Sequence, residues 1–234
     1  MYGENLKFVS EKFKKDKEIV FTALDSQGSA IQYADEKLKN ELPVIMRALS
    51  SPYDVNVLQH INDSLRSNYD VVMKAVSVNG PSLQYASEDL RADREIVVAA
   101  ITNYGSALQF AQENLRNDPE LGLIAIKNSY WDASVFNRLN DSLKKDKDFV
   151  LKVMNYNGDF LEHVIEDFKK DQDVVLEAVA NSSYAYKHAD ESLRKNKHFV
   201  IKCINVSRER ILDLHYSVVN DREVQKAISN NRFW

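Results

Sequence analysis

The chain has 234 residues, of which 44% are hydrophobic and 28% charged, and carries a net charge of -4 from 31 basic and 35 acidic side chains. That is enough apolar residue for a core, and the slight acidic excess argues against a general nucleic-acid binder. No apolar run approaches the ~18–20 residues that cross a bilayer, and the single cysteine, Cys203, excludes an intramolecular disulfide and fits a reducing compartment.

Read in order, the chain repeats one pattern. An apolar residue followed by Lys or Arg recurs at Phe13, Leu38, Leu65, Leu90, Leu115, Leu143, Phe168 and Leu193, with a weaker copy at Val218. The interval between these anchors is constant except for two slightly longer steps, Leu38 to Leu65 and Leu115 to Leu143. A fixed period of this size is the mark of a stacked repeat array. The expected fold is all-α: a solenoid of about eight short helix-turn-helix repeats of roughly 25 residues, forming one continuous array over 1–234. The pattern begins in a second helix (Asn5 to Phe13) and ends in a first helix (Asp221 to about Ser229), which makes half-repeats of both ends. The hand of the solenoid is not fixed by the pattern.

Each first helix is expected to start three residues past the anchor. Asp16, Asn68, Asp93, Asp118, Asp146, Asp171, Asn196 and Asp221 stand there, with Glu41 the one departure. Asp and Asn are strong N-caps because the side-chain oxygen accepts from a free backbone N–H. Ile96, Val97, Ala100 and Ile101 then show helical spacing, as do Val174, Val175, Ala178 and Val179. Gly28, Gly80, Gly105 and Gly158 share one offset from their anchors. Their tolerance of positive φ suggests a tight turn there. A second helix follows, apolar at seven, four and zero before the next anchor, as in Leu83, Ala86 and Leu90. At ~100° per residue these positions share one face.

Two repeats are longer, at Pro52–Asn56 and Trp131–Ser134, and their preceding serines, Ser51 and Ser129, stand three repeats apart. The insertions could expose Tyr53 and Trp131 as paired aromatic contacts, or those rings could fill the space the insertions open.

The recurring sentence is Asp-x-Glu-(Ile/Val)-Val-(Val/Leu)-x-Ala-(Val/Ile), then Asn-Gly or Tyr-Gly, then Ala-Leu-Gln-(Tyr/Phe)-Ala-x-Glu-x-Leu-Arg-x-Asp. It resembles a tandem "domain of unknown function" repeat family found in bacteria and protists, one unit of which spans about two helix pairs. The resemblance covers nearly the whole chain and is strongest from Leu65 to Arg116 and from Leu143 to Asn196. It implies the helical repeat fold and carries no assigned activity or catalytic residues.

The chemistry-bearing residues are sparse. His60, His163 and His188 share one repeat position, five before the anchor, with Phe8, Tyr33, Tyr85, Phe110 and Arg138. This reads as a half-buried planar side chain, and no Cys/His spacing suits zinc. Cys203 falls on a core position of a first helix and reads as an inert thiol. No Gly-rich phosphate loop is present, so no catalytic residue, metal or cofactor is assigned. Acids two before the anchor, such as Glu88, pair at i, i+3 with bases one past it, such as Arg91.

On a continuous second helix, six before the anchor lies at about 120° from the core stripe and five before at about 220°. The first position holds Gln32, Gln59, Gln84, Gln109 and Asn137, then Glu162 and Lys187, and the second is the aromatic or His position, with Tyr33, Tyr85 and Phe110. An amide row beside an aromatic row could grip an extended peptide. Equally, the rings could pack between neighbouring repeats while the amides cap local backbone.

The expected function is a non-enzymatic scaffold for an unidentified protein or peptide, with no nucleic acid or membrane as partner. Gln32, Tyr33, Gln59, Gln84, Tyr85, Gln109, Phe110, Tyr53 and Trp131 are its candidate binding residues. The alternative is a structural spacer or the regulatory array of a longer protein, and the residues argue against an enzyme. The expected setting is the cytoplasm, or the cytosol of a host cell into which the protein is delivered, rather than a disulfide-rich extracellular one.

Overall fold

The structure, a computed structural model, describes residues 3–51, 57–129, 132, 134–207 and 209–231. Tyr53 and Trp131 lie outside the described residues. Among the described residues there are helices and no strand. The chain divides into two compact units, 1–130 and 131–234.

Among the described residues, the first unit holds five long helices: α1 (Lys17–Ser26), α2 (Leu42–Ala48), α3 (Tyr69–Val78), α4 (Arg94–Asn103) and α5 (Pro119–Lys127). The second holds α6 (Lys147–Tyr156), α7 (Gln172–Asn181), α8 (Lys197–Val206) and α9 (Arg222–Asn230). Consecutive long helices pack on one another within each unit. All but α2 begin at the expected Asp or Asn, whose side chain accepts from one or two first-turn N–H groups. Glu41 makes no such bond. Pro43 stands at the second position of α2 and has no N–H, so one of the donors a cap would bond is missing there.

The second helix of the repeat is where the structure departs from the expected pattern. It is not continuous. A six-residue 3-10 helix comes first, as at Gly28–Tyr33, Gly80–Tyr85, Gly105–Phe110, Gly158–His163 and Ser183–His188. Two extended residues follow (Ala111, φ -69°, ψ 160°, and Gln112, φ -63°, ψ 155°), and then a four-residue α-helix such as Glu113–Arg116. The cause is a backbone bond between repeats. Asp35, Ser87, Gln112 and Asp190 send their N–H groups to the carbonyls of Lys14, Arg66, Arg91 and Lys169 in the preceding repeat, at 2.9–3.1 Å. Those N–H groups leave their own helix, and the helix breaks at that point.

The apolar positions nevertheless fall on one face, because a 3-10 helix has three residues per turn and eclipses i with i+3. Gly105, Leu108 and Ala111 therefore stack on one buried edge, as do Gly80, Leu83 and Ala86. The core of each unit lies between this edge and four positions of the long helix, for example Val71, Val72, Ala75 and Val76.

The role of the glycines is also different from the expected one. None adopts positive φ. A Cβ on Gly105 would stand 1.9 Å from the Ala125 carbonyl oxygen, and one on Gly158 would stand 2.1 Å from that of Ala178. Glycine is required because the 3-10 helix lies directly against the backbone of the next long helix. No helix among the described residues is long and apolar enough to cross a membrane.

Candidate binding face

In a 3-10 helix the residues six and five before the anchor stand about 120° apart. The amide row faces outward: Gln59, Gln84 and Gln109 are exposed and Gln32 partly so. The amide nitrogens of Gln32, Gln84 and Gln109 donate to the carbonyls of Ser29, Pro81 and Ser106 at 3.2, 3.1 and 3.1 Å. The local capping foreseen as one alternative is thus present. In the second unit, Asn137 holds the same repeat position as an exposed residue of the short helix Ser134–Arg138.

Tyr33, Tyr85 and Phe110 are half-buried, on the same edge as the buried Ala30, Ser82 and Ala107. Tyr85 reaches the neighbouring repeat. The Tyr85 hydroxyl donates to Gln59 Oε1 at 3.2 Å, which joins the two rows across a repeat boundary. The second unit repeats the arrangement with different chemistry: His188 Nε2 lies 3.7 Å from Glu162 Oε2. Burial pushes His188 below the ordinary imidazole value, and the Glu162 carboxylate opposes that shift.

The recurrent acids pair as expected, including Glu11–Lys14, Glu36–Lys39 and Glu166–Lys169, each at 2.8 Å. In those pairs the lysines are 15–20% exposed and the glutamates 72–83%. At two repeats the base is an arginine that also serves the 3-10 segment. Arg66 donates to the carbonyls of Leu58 and Gln59 at 2.9 and 3.0 Å, and Arg194 donates to that of Ala189 at 3.0 Å. These cations satisfy carbonyls left open at a helix end. Cys203 is fully buried, and burial pushes its thiol up to about 12.

Two sets of residues escape a reading of the sequence alone. Asn103 Oδ1 accepts from the Gly80 N–H at 2.7 Å while its Nδ2 donates to the Ser77 and Val78 carbonyls at 3.1 and 3.2 Å. Asn181 makes the same clamp on Gly158, Asn155 and Tyr156. A signal for them exists: Asn recurs at one repeat position, as Asn103, Asn128, Asn181 and Asn231. Further, Lys147 bridges Asp171 and Asp173 of the next repeat at 2.8 and 2.9 Å, Arg94 pairs with Asp118 and Glu120, and Lys197 with Glu223 at 2.8 Å. Between Tyr69 and Lys197, a cation occupies this first helical position in alternate repeats.

A repeated long helix, 3-10 helix and short helix, stacked set on set within each unit, define an all-α repeat protein of the solenoid class. The chain belongs to the family described as "Domain of unknown function (DUF4116)". The family model matches residues 1–39, 16–55, 43–91, 93–144, 131–169 and 171–215. The match over 93–144 takes in both α4 and α5, so a family unit is about two of these repeats. No curated protein and no solved structure matches the chain.

Proposed function

We propose that this protein is a non-enzymatic scaffold that binds a protein or peptide along the outward edge of its 3-10 helices, without cofactor and with neither nucleic acid nor membrane as partner. One observation carries the reading. The amides of Gln32, Gln84 and Gln109 are held in the same way, each by its bond to the carbonyl three residues back. With one N–H committed, each amide keeps its oxygen and a second N–H for a partner. A row of amides already oriented loses less entropy on binding than free side chains would. Such a row can satisfy a partner's backbone without reading its sequence. Tyr33, Tyr85 and Phe110 add apolar area beside it. The cytoplasm, or a host cytosol, suits a chain whose lone cysteine is a buried thiol.

The neighbouring acids are paired with Lys and Arg, so binding should depend only weakly on salt. The test is affinity capture with the full chain, repeated with Gln84→Ala combined with Tyr85→Ala after circular dichroism confirms the fold. Weakened capture of the same partner is expected. Undiminished affinity would place the contact elsewhere on the molecule.

A further inference from the structure

The outer faces of the long helices carry a second regularity. The residue eight past the anchor is apolar and half-buried in eight repeats, from Phe21 to Ile201. The residue nine past it is a long charged side chain in five: Arg47, Lys74, Lys152, Glu177 and Lys202. Arg47 shows what the second position does for the first. Its guanidinium lies over the Phe21 ring of the preceding long helix at 5.4 Å, held there by an ion pair with Asp25. The stem covers the apolar seam between two helices and the charge stays in water. In α4 and α5 that cover is missing, because the ninth position is Ala99 and Ile124. Met73, Val98, Ala99, Leu123 and Ile124, all half-buried, thus form an uncharged strip across three consecutive helices of the first unit. The strip is bounded on the side of the helix N-termini by the exposed carboxylates of Asp70, Glu95 and Glu120. Arg94 balances Glu120, so Asp70 and Glu95 set the sign of this edge.

We propose that this strip is a docking surface for an amphipathic helix carrying Lys or Arg along one flank. Its apolar face would cover Met73, Val98, Ala99, Leu123 and Ile124, and its cations would face the acidic edge. That edge selects the sign of the partner's flank. Three helices packed 8–10 Å apart span roughly 20 Å, which a helix of about 14 residues crosses. The strip lies on the long helices, away from the amide row, so it stands or falls independently of the scaffold reading.

The test uses the full chain and two fluorescein-labelled amphipathic peptides, one built of Leu and Lys and the other of Leu and Glu in the same pattern, with binding followed by anisotropy. The Leu/Lys peptide should bind, about tenfold or more tighter than the Leu/Glu peptide, and should weaken with added salt. Ala99→Lys combined with Ile124→Lys should weaken it about tenfold or more at unchanged helicity. Should that variant misfold, Asp70→Asn with Glu95→Gln removes the edge charge from exposed positions and should also weaken binding and flatten its salt dependence. Gln84→Ala with Tyr85→Ala should leave peptide binding unchanged. Equal binding of both peptides, or indifference to the strip and edge variants, would overturn the proposal. So would sedimentation showing a wild-type dimer that Ile124→Lys dissolves, since the strip would then be covered by a second copy.

Discussion

Among individual residues, the glycines opposite the long helices bear the tightest constraint. Gly28, Gly80, Gly105 and Gly158 occupy one repeat position, and at each a Cβ would meet a backbone oxygen of the next repeat at 1.9–2.3 Å. A backbone oxygen cannot rotate away as a side chain can, so the whole neighbouring helix must move. Gly105→Ala is therefore expected to destabilise the first unit by roughly 2–4 kcal/mol, the overpacking range or slightly above it. Urea unfolding followed by circular dichroism measures this, and an unchanged midpoint would show that the helix accommodates the methyl at no cost. The Asn clamps act at the same junction. Asn103 and Asn181 take the N–H of Gly80 and Gly158, which would otherwise be buried beside the next helix.

Among the elements, the long helices owe their ends to short-range chemistry and their persistence to packing. Helices this short are too small to be stable in isolation. Asp93 accepts from the Glu95 and Ile96 N–H groups at 2.9 and 3.0 Å and so starts α4 in register. Replacing it by alanine should cost about 1 kcal/mol, up to ~2. The loss should appear as a lower melting temperature with the native helicity intact at room temperature. No measurable loss would mean that packing alone positions the first turn. The 3-10 segments need a different account, since the break just past each of them carries a bond to the preceding repeat: the Gln112 N–H reaches the Arg91 carbonyl and the Ser87 N–H that of Arg66. A short 3-10 helix has poor internal bonding, and it persists because its break supplies the bond that joins it to its neighbour.

At the largest scale, each repeat buries its core face on the repeats beside it in the same unit, so a fault should spread to its neighbours first. Ala100 is fully buried in α4, and Ala100→Asp would place an unpaired charge there. A loss of several kcal/mol is expected. Amide hydrogen exchange should show protection falling most in α3 and α5, which pack on α4, and least in α1. Gln109→Ala, at an exposed position, serves as the control and should stay within about half a kcal/mol of wild type. Uniform loss of protection throughout the first unit would mean that it unfolds as one block.

The repeat length, the Asp and Asn caps and the buried positions of the long helices were legible because each depends on residues within one or two turns. Asp93 caps α4 through N–H groups two and three residues on, and Ile96, Val97, Ala100 and Ile101 share a face through helical geometry alone. The ion pairs at i, i+3 were legible for the same reason. The second half of the repeat was not, because its conformation is set by bonds that reach back into the preceding repeat. An Ala such as Ala111 reads as helical, and only the neighbouring repeat's carbonyl shows why the helix stops there. The candidate site divides in the same way. Gln84 and Gln109 were placed outward from their spacing, and they are exposed. The half-burial of Tyr85 and Phe110, and the bond from Tyr85 to Gln59 of the preceding repeat, arise only when one repeat is laid on the next. The glycines mark the same limit: their spacing was plain, but the carbonyl that excludes a side chain belongs to the following helix.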